Sequence, residues 1–404
     1  MLRKYQKDAA NFLWTHPRAA LFLGCGYGKT LICLAVMDLL IKRALVKTIV
    51  LIAPPAVLKT TWQDEAKKWG YEQVIPHIHF VSNCNTKTLY AEYDLMIVDE
   101  LSAFKDTGTN RFRITKKTKC KRFIGLTGTP VGNGLADLYG QMKLIIPAWY
   151  NKNQFMYTYF TPALQNGYIV YKWAPRPNAE VNIFENIKDY CFRIDATIEL
   201  PEISYQVDNV VLPSNMLAKY KKFKQDLLLE LKTDTITAAN GAVLTNKLLQ
   251  FCSGAMVTDK GYEFLHSKKT EALEKLLYEP SAIFYAYKHE KEAIALLLGK
   301  TKRTFTYDDY EGWNQGKYDH IILHPKAAGY GLNLQGGGRL IIWYTMTWSL
   351  EQYMQANARL YRSGQKNNVI VKHLITSGTD ESKVYRAIQA KEKTLDLFLS
   401  LFDK

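Results

Sequence analysis

The chain has 404 residues, 47% of them hydrophobic, and carries 53 Lys and Arg against 38 Asp and Glu, a net charge of +15. That length predicts two or three domains, the apolar content excludes a disordered chain, and the charge points to a polyanionic partner, nucleic acid foremost, over a basic surface kept for solubility. No apolar run reaches the ~18 residues of a membrane span, no signal sequence follows Met1, and six cysteines without a Cys-x-x-Cys pair argue against zinc or disulfides and for a reducing cytoplasm.

In chain order, Leu21-Phe22-Leu23 reads as a strand running into a glycine turn, and Thr30 to Arg43 has helical spacing, with Leu31, Leu34, Ala35 and Leu39 toward a sheet. Thr48–Ala53 is a β-branched run stopped by Pro54-Pro55, and Leu58–Trp69 is predicted helical. Leu95–Val98 and Phe123–Leu126 complete the strands of a doubly wound α/β domain. Pro201 marks a boundary, giving regions 1–200 and 201–404. The segment from Ser214 to Phe251 is rich in helix formers and lysine. A second α/β unit follows, with strands predicted at Ala282–Tyr285, His320–Leu323, Leu340–Trp343 and Val369–Val371, and helices at Glu290–Leu298 and Leu350–Tyr361.

The sharpest signal is Leu21-Phe22-Leu23-Gly24-Cys25-Gly26-Tyr27-Gly28-Lys29-Thr30. Gly26 and Gly28 permit a tight path that aims N–H groups at phosphates, and the new helix adds its positive end. Lys29 is positioned for the β- and γ-phosphates of ATP and the Thr30 hydroxyl for Mg2+. Leu23 stands where the usual pattern has its leading glycine. Leu95–Val98 then delivers Asp99 and Glu100 to the same sheet edge, Asp99 as a magnesium ligand and Glu100 as the base that orients water.

At this point the chain resembles the Swi/Snf-type branch of superfamily-two helicases and DNA translocases, and is most similar to compact phage or prophage members. Leu2–Gln6 resembles the opening adenine motif, and Ile52–Pro55 with Leu58, Trp62 and Glu65 the next segment. Asp99–Ser102 takes the DEAH-box position, Leu126–Pro130 with Asn133 that of motif III, Gly329–Leu334 that of motif V and Gln355–Gln365 that of motif VI. The resemblance implies an ATPase of two RecA-like lobes with an interlobe ATP cleft, helical protrusions at about 150–190 and 214–253, and a C-terminal brace helix at about 380–402. It implies that Gln6 reads the adenine, that Gly331 joins the ATP site, and that Arg359 and Arg362 act as arginine fingers, their spacing of three setting both on one helix side. Three positions depart from the pattern: Leu101-Ser102 for Ala-His, Ser349-Leu350 for Asn-Pro, and a loose motif IV at Phe284–Tyr287.

The pattern also implies backbone grips on double-stranded DNA near Pro54, Thr127, Gly128, Ala328 and Gly329, contacts that carry no sequence information. Between Thr107 and Leu135 there is no acidic residue, while Arg111, Arg113, Lys116, Lys117, Lys119, Lys121 and Arg122 cluster. Arg111 and Lys117 are therefore candidates for phosphate contact, against the alternative of a solvated helix face. The aromatic stretch Phe155–Trp173 is either a stacking platform for a single strand or, the preferred reading, the core of a helical protrusion. The expected protein is a cytoplasmic monomer, in the host if phage-encoded, with no membrane contact and no appended chromatin-reading or nuclease module, and recruitment by a protein partner fits that minimal build. A strand-separating helicase, a nucleotide-gated clamp and a subunit of a larger restriction or packaging complex are the rivals.

Overall fold

Short β-branched runs form the middle of two six-stranded parallel sheets. The computed structural model describes residues 2–55, 57–194, 200–233, 238–258, 261–328 and 333–403. Internal contacts divide the chain into two units, 1–198 with 390–404, and 199–389. The division differs from the expected 1–200 and 201–404 in returning the last fifteen residues to the first unit.

The first unit contains β1 (Arg18–Phe22), β2 (Ile49–Ala53), β3 (Ile78–Ser82), β4 (Glu92–Asp99), β5 (Lys119–Thr127), the hairpin strands β6 (Phe160–Asn166) and β7 (Ile169–Pro175), and β8 (Cys191–Phe192). Its main sheet has the order β3-β2-β4-β5-β1-β8. All five residues of β2 are buried, as a central parallel strand covered on both faces requires. The helix Lys29–Lys42 buries Leu31, Ile32, Cys33, Leu34, Val36, Met37 and Leu40. The predicted helix at Leu58–Trp69 is a π-type turn, Val57–Thr61, followed by the α-helix Trp62–Trp69.

The aromatic region adds a strand pair to the expected protrusion, whose helices are Lys152–Tyr159 and Ala179–Ile187. The helix Lys152–Tyr159 is followed by the antiparallel pair β6 and β7. Phe155 and Tyr159 do form a small aromatic core with Tyr139, Trp149 and Phe160. The rest of the stretch is an exposed hairpin.

The second unit contains β9 (Ile203–Val210), β10 (Ala255–Thr258), β11 (Gly261–Phe264), β12 (Ser281–Phe284), β13 (Phe305–Thr306), β14 (His320–Leu323), β15 (Leu340–Trp343) and β16 (Val369–Thr376). Its main sheet is ordered β13-β14-β12-β15-β16-β9, with Ile283, Ile322, Ile342 and Leu374 in its core. The segment 214–253 is helical in its described parts, Ser214–Thr233 and Ala238–Ser253, with a satellite core of Leu212, Tyr220, Leu227, Leu248, Phe251 and Cys252. The helix Glu381–Leu399 ends the chain with a short 3-10 turn, Ser400–Asp403. No described helix is long and apolar enough to cross a membrane.

Candidate nucleotide site

Sheet order brings the chemistry together. Phe22 pairs with Thr127 and Leu126 with Asp99, so the ends of β1, β5 and β4 share one edge. The glycine loop leaves β1 there. Gly26 (φ 84) and Gly28 (φ 76) adopt the left-handed backbone that side chains disfavour. A Cβ on Gly28 would lie 2.5 Å from the Gln6 amide nitrogen, so glycine is required twice over.

Lys29 folds back on the loop. Its Nζ donates to the carbonyls of Leu23 (2.8 Å) and Gly24 (3.0 Å). Those bonds explain Leu23: the loop uses its carbonyl, while its side chain is buried in the core. Nothing at that position calls for glycine. Gln6 is buried and anchored, its Nε2 donating to the Tyr27 carbonyl (3.3 Å) and its Oε1 accepting from the Arg3 N–H (2.9 Å). The Tyr5 hydroxyl donates to the same Tyr27 carbonyl (3.1 Å).

Asp99 and Glu100 end β4 half-buried. Burial raises the Asp99 carboxyl above the usual range, with Lys29 and the indole N–H of Trp62 (3.2 Å to Oδ2) pulling the other way. Trp62 has no assigned role in the sequence reading. Nothing in a sequence marks an indole 37 positions from its carboxylate. Glu100 sits at φ 58, rare for a residue with a side chain, and this turns the chain out of the strand. Leu101 is fully buried, and a Cβ on Gly125 would come within 2.6 Å of it. Ser102 is buried as well. The two residues that replace Ala-His thus belong to the core.

These residues fit ATP and magnesium. The Lys29 ammonium rests on two carbonyls that a phosphate can replace, at the start of a 14-residue helix. Asp99 holds a carboxyl whose ionised form a divalent cation would stabilise, with the Thr30 hydroxyl in the helix's first turn. Among the described residues no three His, Cys, Asp or Glu side chains gather into a metal cage.

Motif III changes meaning. Thr127 has no accessible surface, so it is corrected as a nucleic-acid contact. A Cβ on Gly128 would meet the Leu23 carbonyl at 3.2 Å and the Gly24 Cα at 3.4 Å. Gly128 therefore backs the phosphate loop. Beyond it, Asn133 accepts from Lys391 Nζ (3.0 Å), and Asp137 accepts from the Asn133 N–H (2.9 Å) and pairs with Lys105 (3.3 Å).

Pro54 lies just past β2, and its carbonyl accepts from the N–H groups of Val57 (3.1 Å) and Leu58 (3.2 Å). The basic run divides in two. Arg122 donates to the carbonyls of Leu13 and Trp14, Lys121 pairs with Asp94, and Lys116 donates to the Lys143 carbonyl. Arg113, Lys117 and Lys119 are exposed, and Arg111 is half-buried. The helix Asn110–Lys117 runs back toward the start of β5 at Lys119, which leaves Lys117 at the edge opposite the phosphate loop.

In the second unit the helix Leu350–Asn357 ends before Arg359. This corrects the expected shared helix side: Arg359 and Arg362 lie in the turns that follow. Arg359 is buried, and its carbonyl accepts from the Leu334 N–H (3.1 Å). Arg362 is half-buried. Gln365 ties these turns to the Gly338 carbonyl (3.1 Å), and Asn357 accepts from the Trp343 indole (3.0 Å). Ser349 caps the helix, its Oγ accepting from the Gln352 N–H (3.3 Å), so it does the capping work of the asparagine it replaces. Ala328 ends the short helix Pro325–Ala328. Gly329 and Gly331 lie outside the described residues.

Three family models match in succession: a type III restriction enzyme res subunit at residues 1–88, an SNF2-related domain at 70–253, and a helicase conserved C-terminal domain at 246–364. Putative protein p41 of Acyrthosiphon pisum secondary endosymbiont phage 1 is 29% identical over 98% of this chain and 97% of its own length. The putative ATP-dependent helicase/translocase YwqA of Bacillus subtilis is 24% identical over 98% of this chain and 48% of its own. DNA repair and recombination protein RAD54B of Gallus gallus is 22% identical, over 91% and 50%. The chain thus spans about half the length of the latter two. Among solved structures, a Sulfolobus solfataricus SWI2/SNF2 ATPase core in complex with dsDNA matches with a TM-score of 0.46 and 22% identity, over 99% of this chain and 93% of that one.

Proposed function

The chain belongs to the SNF2-related helicase-like ATPases, and on that premise we propose that it couples ATP hydrolysis to movement along double-stranded DNA, gripping the phosphate backbone without reading bases. The observation that carries this reading is the pair of Lys29 bonds to the loop carbonyls beside half-buried Asp99, a cation and a carboxyl suited to a magnesium nucleotide.

In this reading Gln6 recognises the adenine, and Gly26, Gly28 and Gly331 let backbone approach the nucleotide. Lys29 binds the β- and γ-phosphates. Thr30 and Asp99 hold Mg2+, which supplies charge neutralisation at the transferring phosphoryl group. Glu100 orients the attacking water. Arg359 and Arg362 stabilise charge on the γ-phosphate during turnover, a role worth about 10³ to 10⁵ in rate where measured. Pro54, Gly128, Ala328 and Gly329 contribute backbone to the DNA grip, and Arg111 adds a phosphate contact, while Lys117, at the opposite sheet edge, lies off that track. The protein works as a monomer in the cytoplasm. The relative with helicase/translocase in its name agrees in kind with this proposal.

ATPase rates without DNA and with single-stranded DNA, duplex DNA and duplex RNA test it. Duplex DNA is expected to stimulate most, and a triplex-forming strand is expected to be displaced from a duplex that stays paired. Stimulation by single strands but not by duplex would sink the proposal. One observation favours a second reading, a nucleotide-gated clamp that does not move: the Leu101 side chain is sealed in the core. Duplex stimulation without triplex displacement would select the clamp.

A further inference from the structure

The hairpin of β6 and β7 has no place in the nucleotide chemistry, and it is built oddly for a surface element. Its root is fixed. Arg176 Nε donates to the carbonyls of Tyr157 (3.2 Å) and Phe160 (3.1 Å), and Tyr157 meets Trp173 edge-on with ring centroids 5.1 Å apart. Its tip is open. Gly167, at φ 56, makes the tight turn after Asn166, and the next residue, Tyr168, is fully exposed. Ile169, Tyr171 and Leu164 are each about 60% exposed. The pairing register shifts around Leu164, which breaks the regular ladder near Tyr171.

A lone two-stranded hairpin is marginal in water, so large apolar side chains at its far end contribute little to its own stability. Rings held out on a fixed root suit a flat, apolar ligand. The charge on the hairpin says which: between Phe160 and Pro175 the one charged residue is Lys172, and no acidic side chain stands there to repel a phosphate. Flat apolar faces on a polyanionic chain describe the bases of nucleic acid. In a duplex those faces are covered by neighbouring base pairs, and only an unpaired strand offers them to a side chain.

We infer that the β6–β7 hairpin is a binding site for unpaired nucleotides, with Tyr168 and Tyr171 as the stacking surfaces. This gives the protein a second nucleic-acid site, selective for tails, gaps or bubbles, beside its proposed duplex track. It rests on the nucleic-acid reading above but not on translocation.

The test uses the full chain with two probes, a blunt duplex and the same duplex with a single-stranded tail carrying 2-aminopurine. The wild type is expected to bind the tailed probe more tightly and to change the 2-aminopurine fluorescence. In Tyr168→Ser/Tyr171→Ser the tail preference is expected to fall by roughly ten-fold or more per ring, with blunt-duplex affinity and duplex-stimulated ATPase unchanged. Tyr168→Trp/Tyr171→Trp is expected to keep the preference. Equal wild-type affinity for both probes overturns the inference, as does a serine variant that retains the preference or loses both probes alike. So does self-association of the wild type that the serines abolish, which would assign the hairpin to a second copy of the chain. A wild type that prefers the tail yet shows no duplex stimulation leaves the inference standing and removes the duplex reading instead.

Discussion

Two lysines, one in each unit, are held in opposite ways. In the first unit Lys29 rests on replaceable partners, donating to two backbone carbonyls at the sheet edge. In the second, a lysine is locked into the core. Lys269 is fully buried, ion-paired with buried Glu381 and bonded to the Thr345 hydroxyl (2.9 Å), while Glu381 also accepts from the Thr376 N–H (2.8 Å). Buried Glu290 lies within reach of the same lysine field, its carboxyl raised by burial while accepting from the Ala286 N–H (2.7 Å). The lesson is that a buried lysine is no sign of chemistry by itself. What separates the two is whether water or ligand could replace the partners.

The comparison breaks most sharply at Lys29. Lys29→Ala is expected to lower ATP turnover by at least ~10³ while leaving the thermal midpoint near wild type. A large loss of stability instead would mean that Lys29 is structural, like Lys269. Arg362→Ala is expected to spare ATP binding, measured with a fluorescent nucleotide, and to slow turnover by about 10³. Near-wild-type turnover in that variant would refute its finger role.

Lys269→Met gives the opposite signature. Removing one partner of a buried pair leaves Glu381 and Glu290 without their cation, at a cost of about 3–5 kcal/mol. Denaturant unfolding checks this, and the double variant Lys269→Met/Glu381→Gln is expected to recover part of the loss. A fourth prediction uses acid. Burial holds His289, His320 and His373, all in the second unit, down at about 4. An unfolded histidine titrates near ~6.5. As pH falls from about 6.5 toward 4, the unfolded chain binds protons that the fold refuses, so stability is full above that window and drops within it. Thermal melts across the window are expected to show a falling midpoint, and a flat midpoint would contradict the buried neutral histidines.

Most of the site was legible because its signals are local. The glycine loop, the strand ending in Asp99 and the β-branched runs each declare themselves within about ten residues, and sheet order then juxtaposes them. Two failures share a cause, the reading of one local pattern where another competes. Residues Gln355 to Arg362 read as continuous helix, yet the helix stops at Asn357, whose side chain is claimed by Trp343 and whose carbonyl accepts from the Leu360 and Tyr361 N–H groups. The hairpin carries Asn-Gly at its turn, a strong strand-reversal signal, but its aromatic content suggested a core. The burial of Thr127 and the Trp62 bond to Asp99 were hidden for a different reason. Their burial and partners depend on neighbours far along the chain, which no window of sequence contains.

The smallest expected effect concerns a position where family pattern and fold part company. Ser349-Leu350 departs from Asn-Pro, yet the Ser349 Oγ accepts from the Gln352 N–H, and Leu350 is fully buried. Asparagine and serine both cap, while a first-turn proline and leucine serve different ends: proline fixes the backbone, leucine adds apolar burial. If capping is what the position must preserve, Ser349→Ala is expected to destabilise the second unit by about 1 kcal/mol, and Ser349→Asn to remain within a few tenths of wild type. ATP turnover per folded molecule is expected to stay unchanged in both, because the cap holds the helix that precedes Arg359 and Arg362 without touching either side chain's work. A Ser349→Ala variant that keeps its stability but loses turnover would move the residue from the scaffold to the chemistry, and would set it beside Lys29 rather than beside the structural Lys269.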